Sequence, residues 1–245
     1  MNSAVYAACA GLVSRTEALD AIANNMANES TPGFRARQNI FRSMLAARGN
    51  PMLSTLNQDA NDYNVLAATR LDTTQGSLTR TNNDLDVAIE GSGYLQVQTA
   101  KGTMYTRAGN LKLSAQGQLV TANGDPVLGD QGPINIAGQP VTIGSDGTVA
   151  VNGVTTGKLT LVDFDPAVEL ASVGNTYLQA PAGTTPAASD ASLRQGMLES
   201  SNVNPVSTVV DLINAQREVE TMRRVLTMMN DDMDKTATQD LPHVG

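Results

Sequence analysis

The sequence predicts an α+β protein in which two helices, one near each end of the chain, flank an inserted antiparallel β domain. Three observations carry this reading. A heptad pattern runs from Ser3 to Asn28, and a second runs from Val206 to Asp234. Between them the chain changes to short alternating segments punctuated by Gly, Asn and Asp. The expected order is an N-terminal helix and turn over 1–34, an extended arm over 35–77, the β domain over 78–193, and a C-terminal helix and tail over 194–245.

In the first segment Val5, Leu12, Leu19 and Met26 sit seven apart, and Ile22 widens the stripe. Cys9, Thr16 and Ala23 occupy the intervening positions, where Cys9 reads as a small buried side chain. The many alanines favour helix and allow another backbone to approach closely. The helix is expected to stop near Asn28. Pro32 disfavours the helical conformation at Thr31, and Pro32-Gly33 is a turn signal. Beyond it, Arg35, Arg37 and Arg42 read as a solvated basic face. From Arg48 to about Thr74 the periodicity is weak, which reads as an arm or linker.

From Leu78 to Leu193 alternation appears, as in Val87/Ile89 and Tyr94-Leu95-Gln96-Val97. Asn123-Gly124, Asp146-Gly147 and Asn152-Gly153 are strong hairpin signals between apolar alternations. The expectation is a sandwich or partly open barrel of short strands. With no Trp in the chain, its core must rest on Val, Ile, Leu and a few Tyr and Phe. Pro181 to Asp190 reads as a linker. Asn204-Pro205 marks a helix start, with Asn as the cap and Pro at the first helical position. In the helix that follows, Leu212, Val219, Leu226 and Met233 recur every seven residues, and Ala215, Met222 and Met229 lie three residues after the first three. Two narrow seams, one on each terminal helix, predict a coiled-coil-like pair that also meets copies of itself.

Composition excludes several functions. The chain of 245 residues carries 24 Asp plus Glu against 16 Lys plus Arg, with no basic cluster to draw nucleic acid or an anionic membrane surface. No apolar run approaches the roughly 20 residues of a spanning helix. The N-terminal stretch does not read as a secretory signal. One Cys leaves no disulfide within the chain, and without a second His or Cys a zinc site is not expected; His243, in a polar tail near the C-terminus, is a poor candidate for a general base or metal ligand. No catalytic, cofactor or metal residue is expected. The pairs Asp84/Asp86 and Asp163/Asp165 read as solvated turns. The competing reading makes them the working groups of a carbohydrate-binding or hydrolytic β domain.

The run from Ala23 to Arg35, with Asn24, Asn25, Asn28, Thr31, Pro32, Gly33 and Phe34, resembles the N-terminal signature of bacterial flagellar rod and hook proteins. The block from Gly196 to Val206, with Glu199, Ser201, Asn202 and Val203, resembles the matching C-terminal signature. Asp86 to Ile89, Gly91 to Tyr94 and Tyr105 to Asn110 resemble the shared β domain of the rod members. The resemblance implies a non-catalytic structural subunit that leaves the cytoplasm through the flagellar export apparatus. It also implies assembly in the periplasm, with copies of itself and other rod proteins, into a helical tube that carries torque. In that setting the seam of Val5, Leu12, Leu19, Ile22, Met26, Leu212, Ala215, Val219, Met222, Leu226, Met229 and Met233 would be the assembly seam. The compact arm and Gly132-Pro133-Ile134 are more similar to a proximal than to a distal rod member.

Isolated seam helices have little stability of their own. Helicity of the full chain is therefore expected to rise with concentration, in step with larger species. Far-UV circular dichroism beside sedimentation velocity checks this, and constant high helicity in a monomer would contradict it.

Overall fold

The computed structural model describes residues 3–43, 64–136, 138 and 140–239. The fold class is α+β. The chain opens with α1 (Ser3–Ala27), followed by β1 (Arg37–Ser43) and β2 (Asn64–Leu71). Next come β3 (Leu78–Arg80), β4 (Val87–Glu90), β5 (Tyr94–Thr99), β6 (Gly102–Thr106), β7 (Lys112–Leu113), β8 (Leu119–Val120), β9 (Leu128–Gly129) and β10 (Gly132–Pro133). Then follow β11 (Val141–Ile143), β12 (Thr148–Val151), β13 (Val154–Lys158), β14 (Leu161–Asp163), β15 (Ala171–Val173) and β16 (Tyr177–Gln179). The last are β17 (Ala187–Ala188), β18 (Ser192–Gln195), β19 (Met197–Glu199) and α2 (Pro205–Gln239).

The chain divides into two compact units. One comprises Met1–Met26, Arg37–Arg70 and Asn204–Gly245, and the other Ala27–Ala36 and Leu71–Val203. In the first unit, α2 begins at Pro205 and is capped by Asn204, whose Oδ1 accepts from the amides of Val206 (3.0 Å) and Ser207 (3.3 Å). Along α2 the covered positions follow a four–three spacing. Thr208, Ala215 and Val219 are buried, and Leu212, Met222, Leu226 and Met229 are half-buried. Val206, Val209, Val210, Ile213, Val225 and Met228 are exposed.

α1 departs from its expected pattern. Leu12, Leu19, Ile22 and Met26 are half-buried, Ala23 is exposed, and the most deeply buried line is Ser14, Ala18, Ala21 and Asn25. The reason is close approach: Asn25 accepts from the Arg37 amide (2.8 Å) and donates to the Arg37 carbonyl (2.9 Å), while Asn39 Nδ2 reaches the Ala18 carbonyl (3.2 Å). Small side chains let β1 lie against this face. Cys9, expected to be buried, is exposed; it lies on the far side of α1 from that line. α1 and α2 touch where Arg15 Nη1 meets Glu218 Oε2 at 2.7 Å. Further along, Met222 Cε lies 3.3 Å from where a Cβ on Gly11 would stand. Numbers fall on one helix as they rise on the other, as for antiparallel neighbours. The side chains of Val5, Arg42 and Met233, and all of His243, lie outside the described residues.

Two stretches expected to be irregular contain strands. β2 lies within the expected arm and pairs with β1; β17 lies within the expected linker and forms a sheet edge. β2 holds a short apolar run without alternation, and β17 is two alanines, so neither shows a strand period.

The second unit is built from antiparallel pairings. Its largest sheet has the order β15-β16-β6-β5-β14-β17. A meander β11-β12-β13 and the pairs β4-β18, β3-β19, β7-β8 and β9-β10 surround it. Asn152 and Gly153 form the two-residue loop between β12 and β13, with φ of 50° and 82°. Both values suit the hairpin turn whose twist matches the flanking strands. Adjacent residues of β14 and β5 serve different clusters. Leu161 pairs with Leu95 in an aliphatic core that includes Val87, Ile89, Val127, Val149 and Leu193. Val162 pairs with Tyr94 in a cluster with Tyr105, Phe164 and Leu178. In the latter, Tyr105 and Phe164 meet edge to face at 4.7 Å. Side chains alternate across a strand, so the central sheet is covered on both faces.

Leu161→Ala and Val162→Ala should therefore each destabilise this unit by about 2 kcal/mol. Val154→Ala, at a 67% exposed position, should stay within about 0.5 kcal/mol. Urea denaturation of the full chain checks all three; a sheet with one solvated face would spare one member of the adjacent pair.

Candidate functional site

Within the β-rich unit, the residues singled out at both ends of the sequence converge on one carboxylate. Glu199, at the end of β19, is 1% exposed. Its Oε1 pairs with Arg35 Nη2 at 2.7 Å and accepts from the Gly76 amide at 2.9 Å; its Oε2 accepts from Arg107 Nη1 at 3.1 Å. Both arginine side chains are buried, at 3% and 5% exposure. Arg35 Nη1 also donates to the Thr74 carbonyl (2.6 Å) and Arg107 Nη2 to the Gly91 carbonyl (2.6 Å). The Arg107 guanidinium sits 5.3 Å from the centroid of the Tyr94 ring. Burial pulls the pKa of Arg35 below the ordinary arginine value, an effect that Glu199 opposes and Arg107 adds to. Burial likewise raises Tyr94 above the usual phenol value.

Backbone contacts lock the same place. The Gly33 amide donates to the Glu199 carbonyl at 2.8 Å. Gly33 has φ +69°, and a Cβ there would stand 2.4 Å from the Ala108 nitrogen, so only glycine lets this turn close on Arg107 and Ala108. Asn202 Oδ1 accepts from the Ala36 amide (2.7 Å), while its Nδ2 donates to the carbonyls of Asp72 and Thr74 (both 3.0 Å). The Asp72 amide donates to the Ala36 carbonyl (2.8 Å). Three of the points where the chain passes from one unit to the other, after Ala36, before Leu71 and after Val203, thus lie next to this cluster in sequence.

Of the expected signature residues, Gly33, Glu199 and Asn202 take part directly. Phe34 is 1% exposed beside them, and Asn28 is buried, accepting from the Thr31 hydroxyl at 3.3 Å. Pro32 is half-buried, and Ser201 Oγ accepts from the Val203 amide (3.3 Å). Asn25 works in the helical unit, on the Arg37 backbone, and Asn24 is half-buried on α1. Arg35, expected on a solvated face, is instead 4% exposed, because the Gly33-Phe34 turn aims it at Glu199. Arg107 and Gly76 were not expected as site residues; an arginine in a β segment carries no sequence mark of burial.

The two carboxylate pairs lie apart from Glu199 in the hydrogen bonds they make. Asp84 and Asp165 are exposed, Asp163 Oδ1 accepts from its neighbour's amide (2.8 Å), and buried Asp86 accepts from Asn83 Nδ2 (3.0 Å). Among the described residues no three His, Cys, Asp or Glu side chains gather as for a metal ion, and no helix is long and apolar enough to cross a membrane. The arrangement around Glu199 is built to hold, since each of its oxygens is already engaged by the protein.

Glu199→Gln should cost about 3–5 kcal/mol, because it strands two buried guanidiniums without their counter-charge. The exposed pair Arg194–Glu90 (2.8 Å) makes the control, where Glu90→Gln should leave the melting temperature nearly unchanged because solvent screens the pair. Thermal melts followed by near-UV circular dichroism distinguish the two.

Comparison with known proteins bears on both ends of this site. Residues 88–151 match the family model described as the flagellar hook protein FlgE/F/G D1 domain. Residues 194–239, which include Glu199 and Asn202, match the model described as the flagellar basal body rod FlgEFG protein C-terminal. The chain is 34% identical over 233 residues to the flagellar basal-body rod protein FlgF of Caulobacter vibrioides, covering 92% of this chain and 93% of that protein. It is 37% identical over 259 residues to FlgF of Salmonella typhimurium, covering 95% and 96%. It is 33% identical over 246 residues to the flagellar basal-body rod protein FlgG of Agrobacterium fabrum, covering 91% and 94%. With signature residues from both ends of the sequence meeting at Glu199 and similarity extending over nearly all of the chain, the protein belongs to the flagellar basal-body rod protein family.

Proposed function

We propose that this chain is a structural subunit of the bacterial flagellar basal-body rod, working by assembly and not by catalysis. The observation that carries the reading is the surface of α2. Among the described side chains of α2, only the line from Thr208 to Met229 is covered, while Val206, Val209, Val210, Ile213, Val225 and Met228 are exposed. That much apolar surface on one helix is suited to burial against neighbouring subunits, at about 25 cal/mol per Å² removed from water.

In the assembled rod, α1 and α2 pair in the manner of a coiled coil, and the seam from Val5 to Met26 and from Leu212 to Met233 forms contacts within and between subunits. The subunit is exported without a cleavable signal, enters the periplasm, and polymerises helically with itself and other rod proteins into the shaft that carries torque from rotor to hook. Relatives named FlgF and FlgG match at similar identity. The compact arm favours the proximal rod member, FlgF, over the distal one.

Val219→Asp and Leu226→Asp should each abolish assembly while leaving near-UV signals of the β-rich unit unchanged, since they place a charge on the seam of the helical unit. Sedimentation velocity and incorporation into isolated basal bodies are the measurements; assembly that survives both changes would remove the seam from the mechanism.

A further inference from the structure

The cluster around Glu199 holds two guanidiniums and one carboxylate, all buried, and so carries a net charge of +1. Its donors are not all used either. Arg35 donates from Nη1 to Thr74 and faces Glu199 Oε1 with Nη2 as an ion pair without hydrogen-bond alignment; Arg107 spends Nη1 on Glu199 and Nη2 on Gly91. The Nε–H groups of both arginines are buried and meet no acceptor among the described residues. A buried donor left without an acceptor, and a buried charge left without its counter-charge, each cost free energy. Two of the residues lining a small cavity of about 10 Å³ are these arginines; Tyr94, Ser172, Asn175 and Thr176 add polar groups, Gly33, Leu71 and Leu178 complete the wall, and no carboxylate lines it. The nearby Asp163 has Oδ1 engaged by the Phe164 amide.

The geometry points to a binding site for one small monovalent anion of the halide class, seated in this cavity against Arg35 and Arg107. The space is at the lower limit for a single water-sized particle, far below what sulfate or phosphate needs, and a halide, somewhat larger than water, seats there only as the surrounding side chains give slightly. Such an ion neutralises the surplus charge, and it ties Arg35, next in sequence to a point where the chain leaves the unit, more firmly to Arg107, just after β6. The site is independent of the assembly seam, so it stands or falls apart from the rod proposal.

The test uses the full-length chain and bromide as the probe. In crystals grown with sodium bromide, anomalous scattering is expected to show one peak in the cavity within hydrogen-bond reach of a guanidinium. In solution, the melting temperature is expected to rise saturably with bromide or chloride, relative to sodium gluconate at matched ionic strength. The rise should be roughly 3 °C at ten times the dissociation constant. A cavity holding only water at high bromide overturns the proposal. A peak without a saturable, anion-specific rise marks an adventitious ion only, and overturns it equally.

Discussion

Burying the Glu199 carboxylate is the constraint that organises the β-rich unit. A carboxylate removed from water costs several kcal/mol unless strong donors replace the lost hydration. Here the replacements come from far apart in the chain: Arg35 near the N-terminus, Gly76 ahead of β3, and Arg107 after β6. None can be supplied until its segment has arrived. The carboxylate therefore ties the closing of the unit to the correct placement of three separate stretches, and Asn202 repeats the device with Ala36, Asp72 and Thr74. Buried ion pairs are weak sources of net stability, but a partly satisfied one is expensive, which penalises alternatives to this arrangement.

The two units rest on different physics. The β-rich unit has its own aliphatic core, in which Val87, Ile89, Leu95, Leu119, Val127 and Val149 are fully buried, and its central sheet is covered on both faces. Among the described side chains, the helical unit shows no such core. Its buried positions are small or polar on α1 and narrow on α2, with large apolar side chains left in solvent. The β-rich unit thus has an interior of its own, while α2 leaves a row of apolar side chains exposed.

Several local features were legible in the sequence because short-range chemistry decides them. The Asn152-Gly153 turn follows from two positive φ angles that few residues tolerate. The cap at Asn204 and the start at Pro205 follow from orphan amides and a fixed φ. The four–three spacing on α2 is visible because its covered positions are mostly apolar and the rest are mostly polar. On α1 the same reasoning failed in part: the face with the least exposure is Ser14, Ala18, Ala21 and Asn25, and hydrophobicity does not mark it. Close approach of β1 selects small size and amide hydrogen bonding there, properties that a search for apolar periodicity passes over.

By itself, the sequence determined the α+β class, the antiparallel strand chemistry, the helix boundaries and, through motifs spread along the chain, the family. Each of these depends on neighbours within a few turns or on a pattern of residue types. Only the tertiary structure decided that Arg35 and Arg107 are interior residues, that both face Glu199, and that β2 and β17 are strands. Charged side chains are exposed by default, and very short or non-alternating strands exist only because a partner edge supplies their hydrogen bonds. Such facts arise when distant segments meet, and the order of residues along any one segment does not contain them.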